Sequence, residues 1–130
     1  MARLALAGVA VGILLATAGC GGQTTYTLAR TKTCLTQRGV QVSGKFGDDF
    51  VAGTAMGGAT VAHLGDNFVT IAFGQDVTGG DNIELAYTRF SGANIKNGLP
   101  DVLRRYNNAV TLWHMHPSDS DLALIVGCLR

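Results

Sequence analysis

The chain predicts an α+β fold: a small mixed β-sheet packed against helices as a two-layer sandwich, with N- and C-terminal helices joined by a disulfide. Three observations carry this. Thr60 to Leu64 and Phe68 to Phe73 read as strands around Gly65-Asp66, a glycine-first pair suited to a tight hairpin turn. Apolar residues recur at helical spacing near the start, the middle and the end of the remaining chain. Finally, Cys34 and Cys128 stand near the two ends of the domain.

The elements follow in order. Thr27 to Arg38 is predicted helical, with Leu28, Thr31 and Leu35 on one stripe, Cys34 beside it and Gly39 as its stop. Val40-Gln41-Val42 alternates as a short strand. The glycine-rich stretch from Ser43 to Gly58 is predicted loop, with a small strand near Phe50-Val51-Ala52. In the strand from Phe68, Val69, Ile71 and Phe73 share a face expected to be buried. Asp81 and Glu84 have the spacing of a capping box. Ile83, Ala86, Tyr87 and Phe90 continue as a helix to about Ile95. Pro100 opens a helical turn running through Asp101 to Arg105, and Asn107-Asn108 breaks it. Ala109 to His114 is a strand. Ser118, with Asp121 three residues on, caps a last helix whose Leu122, Ile125, Val126 and Leu129 form a stripe. The strand–helix–strand passage between residues 68 and 114 implies a right-handed crossover if both strands run parallel in one sheet.

Composition narrows the function classes. The 130 residues suit one domain, and 47% hydrophobic content argues against disorder. Ten basic against nine acidic side chains leave a net charge of +1, without the basic surplus that nucleic-acid binding by counterion release requires. Gly53-Thr54-Ala55-Met56-Gly57-Gly58 lacks the Lys and the spacing of a phosphate-binding loop, so no cofactor is expected. Asp48-Asp49 lacks calcium-loop spacing.

Residues 1–19 are almost wholly apolar or small, with Arg3 as the only charge, as in a secretory signal. The segment is short for a membrane span, which needs about 20 apolar residues. Its end, Ala18-Gly19-Cys20, resembles the lipobox of bacterial lipoproteins, with Thr17 where that family usually carries Leu. The resemblance implies a diacylglyceryl group on Cys20, residues 20–26 as a lipidated tether, and residues 27–130 as one globular domain. A membrane partner and a lipid-anchored, extracytoplasmic location follow from it. In its lipobox, single cysteine pair and Gly/Ala-rich chain, the sequence resembles small lipoproteins of high-GC bacteria. The alternative is ordinary cleavage after Ala18, which releases a freely secreted binding or inhibitor protein with an odd thiol.

Lipidation of Cys20 leaves Cys34 and Cys128 as an even pair, and export favours a disulfide over two buried thiols. The candidate chemistry lies in His114-Met115-His116-Pro117-Ser118-Asp119-Ser120-Asp121. His114 and His116 project to the same side of an extended segment, and Asp119 and Asp121 complete a conceivable zinc-like ligand set, with His63 as a further donor. His114 to Pro117 resembles part of the His-x-His-Pro motif of JAMM-type zinc peptidases. That family's ligand Asp, however, lies where this chain has Ile125-Val126-Gly127. Its upstream Glu has no match, since the only Glu is Glu84. The alternative gives Ser118 and Asp121 to a helix cap, and Asp119 to the dipole at that helix end. Ser118, His116 and Asp119 supply the residue types of a nucleophilic triad, but their adjacency opposes a relay. The expectation is therefore a binding or structural module of the cell envelope, more than an enzyme. A metal-dependent hydrolytic protein is the alternative.

Overall fold

A computed structural model describes residues 25–91 and 98–130. The signal segment, Cys20, most of the tether and Ile95 lie outside them. Five strands form one sheet in the order β1-β2-β3-β5-β4, flanked by helices.

Helix α1 (Leu28–Gln37) begins at Thr27, whose hydroxyl accepts from Arg30 N, and buries Thr31, Cys34 and Leu35. It ends in a Schellman arrangement: Gly39 takes φ +76°, its N–H donates to Thr36 O, and Val40 N donates to Leu35 O at 2.9 Å. Strand β1 (Gln41–Ser43) then pairs with β2 (Ala59–Leu64). Between them the small strand expected at Phe50-Val51-Ala52 is instead a helical turn, α2 (Phe50–Gly53). The Asp49 carboxylate is the reason, because it accepts from Ala52 N at 2.9 Å and caps the turn.

The β2–β3 hairpin, with β3 at Asn67–Phe73, turns at Gly65 as expected, with φ +60° there. Val69, Ile71 and Phe73 are fully buried together with Ala62, Ala109 and Trp113, under α1 and the last helix. Thr70 and Ala72, on the other face, are buried too. Ala72 packs with Val51, Ile83, Tyr87 and Val110 beneath α2 and α3. A second helical layer therefore covers the face opposite the terminal helices.

Helix α3 (Val77–Phe90) starts earlier than the sequence pattern suggests. Asp76 is its cap, accepting from Gly79 N at 2.7 Å, and Ser91 leaves helical geometry at its end. Gly80 is required at the first turn: a Cβ there would lie 2.5 Å from Asn107 O. Asp81 and Glu84 do not form a capping box. They grip Arg105, with Oδ1–Nη1 at 2.9 Å and Oε2–Nε at 3.0 Å.

The helical turn expected from Asp101 to Arg105 ends early. α4 (Leu99–Val102) passes directly into strand β4 (Leu103–Tyr106), which hairpins through Asn107 (φ +52°) into β5 (Ala109–Trp113). This additional strand reverses the chain once more, so β5 meets β3 antiparallel. Among the described residues the expected mixed sheet is thus antiparallel throughout, and no parallel pairing is made between neighbours.

Helix α5 (Asp119–Cys128) is capped by Ser118, whose hydroxyl accepts from Asp121 N, as expected. Ile125 and Leu129 are buried, whereas Val126 of the expected stripe is exposed. The terminal helices pack together and the Cys34–Cys128 disulfide joins them, with Cα atoms 5.4 Å apart across a sequence separation of 94. Among the described residues no helix is long and apolar enough to cross a membrane.

One buried amide organises the ends of the sheet. Asn108 is fully buried. Its Nδ2 donates to Tyr26 O and Gly74 O, both at 2.8 Å, and its Oδ1 accepts from Tyr26 N at 2.7 Å.

Two stability measurements follow. Reduction, or the Cys34→Ser/Cys128→Ser variant, is expected to cost about 2–5 kcal/mol, read as a lower urea midpoint. An unchanged midpoint would mean that the bridge does not restrain the unfolded chain. Asn108→Ala is expected to cost about 3 kcal/mol, because buried backbone groups at Tyr26 and Gly74 lose their partners.

Candidate functional site

The segment after β5 carries the sequence-predicted candidates, and Asn67 sets its position. Asn67 Nδ2 donates to Met115 O at 3.0 Å, its Oδ1 accepts from Met115 N at 2.9 Å, and His114 N donates to Phe68 O at 2.9 Å. The ladder between β3 and β5 thereby extends past Trp113, carrying His114 and His116 outward.

His114 stacks on Phe68, with ring centroids 4.5 Å apart and planes 12° from parallel. Phe68 lies opposite His63 in the hairpin register, at 6.3 Å between centroids. Three rings therefore cross three neighbouring strands in a row. His116 turns to Asp101 of α4, with Nδ1 and Oδ1 2.7 Å apart. Its carboxylate partner is Asp101 and not Asp119.

His114, His116 and Asp101 line a cleft of about 510 Å³, floored by Thr70 and Leu112 and walled by Phe46 and Phe68. It opens where the sheet face that carries α2 and α3 runs beyond both helices. Asp119 and Asp121 do not line it, since they occupy the first turn of α5 and favour the helix dipole there. Ser118 Oγ accepts from Asp121 N and lies 3.1 Å from Ser120 Oγ, so it belongs to the cap. Among the described residues no three His, Cys, Asp or Glu side chains gather closely enough to hold a metal ion. His63, the further donor expected from sequence, is separated from His114 by the Phe68 ring within the row.

A second groove of about 340 Å³ adjoins the cleft through their shared residues Asp49 and Leu112. Phe50 and Phe90 stand at its rim, 56% and 62% exposed, in an edge-to-face pair at 5.4 Å. Asp49 joins the two spaces: Oδ1 caps α2, and Oδ2 accepts from the Tyr87 hydroxyl at 2.8 Å. Burial pushes the Tyr87 phenol far above its ordinary value, and the Asp49 hydrogen bond and charge push it further in the same direction.

The arrangement offers stacking rings, two imidazoles, the Asp101 carboxylate beside His116, and a floor of Thr70 and Leu112. Such a lining can stack against a planar group and hydrogen-bond to its edge. The Asp49–Tyr87 and Asp101–His116 pairs were not legible in the sequence, because each joins elements distant along the chain. Phe68 could have been found: the predicted register sets it on the face opposite Val69.

No known protein family, curated protein or solved structure matches this chain.

The Tyr87 pair predicts a pH dependence. Its contribution to stability is whole below pH 10.0, the ordinary phenol value. It falls as pH rises above that value, because the unfolded chain releases the proton first. Urea midpoints measured through the alkaline range should drop for the parent protein and drop less steeply for Tyr87→Phe. Equal slopes would show that the buried phenol is not linked to folding.

Proposed function

We propose that the chain is an exported lipoprotein, anchored through lipid on Cys20, whose globular domain acts as a binding module outside the membrane. The observation that carries this reading is the Cys34–Cys128 disulfide. It accounts for both cysteines of the domain and fits an oxidising compartment. Cys20 then stands alone beside the lipobox-like run, where a lipid would consume the remaining thiol. The cleft bounded by Phe68, His114, His116 and Asp101 is the proposed ligand site, open to an envelope component or a protein partner.

Stable anchoring takes more than one acyl chain, which the lipoprotein modification supplies. Metabolic labelling with an alkyne fatty acid in a bacterial host tests the reading. The parent chain should carry label and stay with membranes in high salt, while Cys20→Ala should carry none. Unlabelled parent protein recovered from the medium would establish the secreted alternative instead.

A further inference from the structure

The charges of this chain are balanced in number but not in space. All nine acidic residues lie between Asp48 and Asp121. Helix α1 carries Arg30 and Lys32, Arg38 follows at its C-cap, and Arg130 lies beside its start, where Arg130 O accepts from Thr27 N at 2.7 Å. All four cations are exposed, and among the described residues none is in an ion pair. Of the elements packed against α1, β1 and β2 carry no acid. Helix α5 carries Asp119 and Asp121, but they stand at the end away from Cys128, roughly 10–13 Å along the axis from the disulfide.

The outer face of α1 is shaped for a flat contact. Ala29, Thr33 and Gln37, at successive helical turns, form a shared stripe between two shallow depressions. One is flanked by Arg30, Arg38 and Arg130, and the other by Lys32. The stripe carries no aromatic or charged side chain of its own.

The anchor is close by. Tyr26 is held by two hydrogen bonds to Asn108, so the chain leaves the domain at a fixed point immediately before α1. From Cys20 to Leu28 the chain spans at most about 28 Å, which keeps the start of α1 within that distance of a lipidated Cys20. Four cations are thereby brought near a bilayer whose anionic lipids attract each of them.

We infer that the outer face of α1, through Arg30, Lys32, Arg38 and Arg130, docks onto the anionic headgroups of the membrane that holds the lipid anchor. This rests on the lipid-anchor reading for its proximity argument, though the charge pattern itself does not. Docking sets the orientation of the domain. α1 covers one sheet face while the cleft of Phe68, Thr70 and Leu112 opens on the other, so the cleft faces away from the bilayer.

A basic residue near an anionic surface strengthens binding about five-fold, and the effect is screened by salt. The test uses the full chain processed in a bacterial host and placed in vesicles of phosphatidylcholine, with or without phosphatidylglycerol. Thr33→Trp adds an indole to the α1 face, and energy transfer to a dansyl headgroup reports its distance from the surface. Transfer should rise with phosphatidylglycerol and return to the neutral-vesicle level in high salt. Arg30→Gln/Lys32→Gln/Arg38→Gln should lose the rise, lowering the docking equilibrium constant on the order of a hundredfold. Arg89→Gln, on α3, should keep it. Transfer that is the same in both vesicle types, or unchanged in the triple variant, overturns the inference. Retention on neutral vesicles in high salt reads the anchor separately. If retention fails while unlipidated protein still sediments with phosphatidylglycerol vesicles in low salt, the docking face stands and the anchor reading falls.

Discussion

The Asn108 side chain ties the segment before α1 to the corner where the β3–β5 ladder already sets the end of β3 against the β4–β5 turn. It is fully buried, so its donors and its acceptor must be satisfied by protein. Gly74 and Gly80 permit this closeness. A Cβ on Gly74 would strike the Gly79 carbonyl carbon at 2.4 Å, and one on Gly80 would strike the turn. The start of α3 is therefore pressed onto the same corner. The disulfide restrains the α1–α5 pair, and the amide restrains the approach to α1, so both ends of the domain are fixed to its sheet.

That corner has a consequence at the opposite end of the sheet. β3 is buried on both faces, because terminal helices cover one and α2 and α3 cover the other. α2 is only one turn long, and the helical cover stops before Phe68, Thr70, Leu112 and His114. Among the described residues, the cleft lies on the part of this sheet face that neither α2 nor α3 reaches. Asn67 gives its far wall a definite shape by pinning Met115, and Asp49 ties its near wall to α3 through Tyr87. Proximity in the fold thus gives His114 and His116 different surroundings: one lies against an aromatic ring, the other against a carboxylate.

Much of the fold was legible because it is encoded locally. Ser118, Gly39 and Gly65 act on backbone groups a few residues away, so their roles follow from spacing alone. The helical turn α2 was misread although its cause is local, since Asp49 caps Ala52 N three residues on. The other misread elements share a different cause. Leu103 to Tyr106 extend because β5 offers them an edge, and Asp81 and Glu84 have capping-box spacing but are drawn to Arg105 on β4. In both cases a partner distant in sequence changes what a local pattern means. His116 shows the same at the site, since its neighbours Asp119 and Asp121 are close in sequence and Asp101 is close in space.

By itself the sequence determined the α+β class, the glycine stop of the first helix and the cap of the last, the hairpin around Gly65 and the residues available for a disulfide. These depend on hydrophobic period, turn chemistry and cysteine number, all properties of short stretches or of counts. The tertiary structure decided that the sheet is antiparallel, that both its faces are covered, and which side chains share the cleft. Those outcomes turn on one additional reversal of the chain at Asn107 and on contacts between segments tens of residues apart, where no local pattern carries the information.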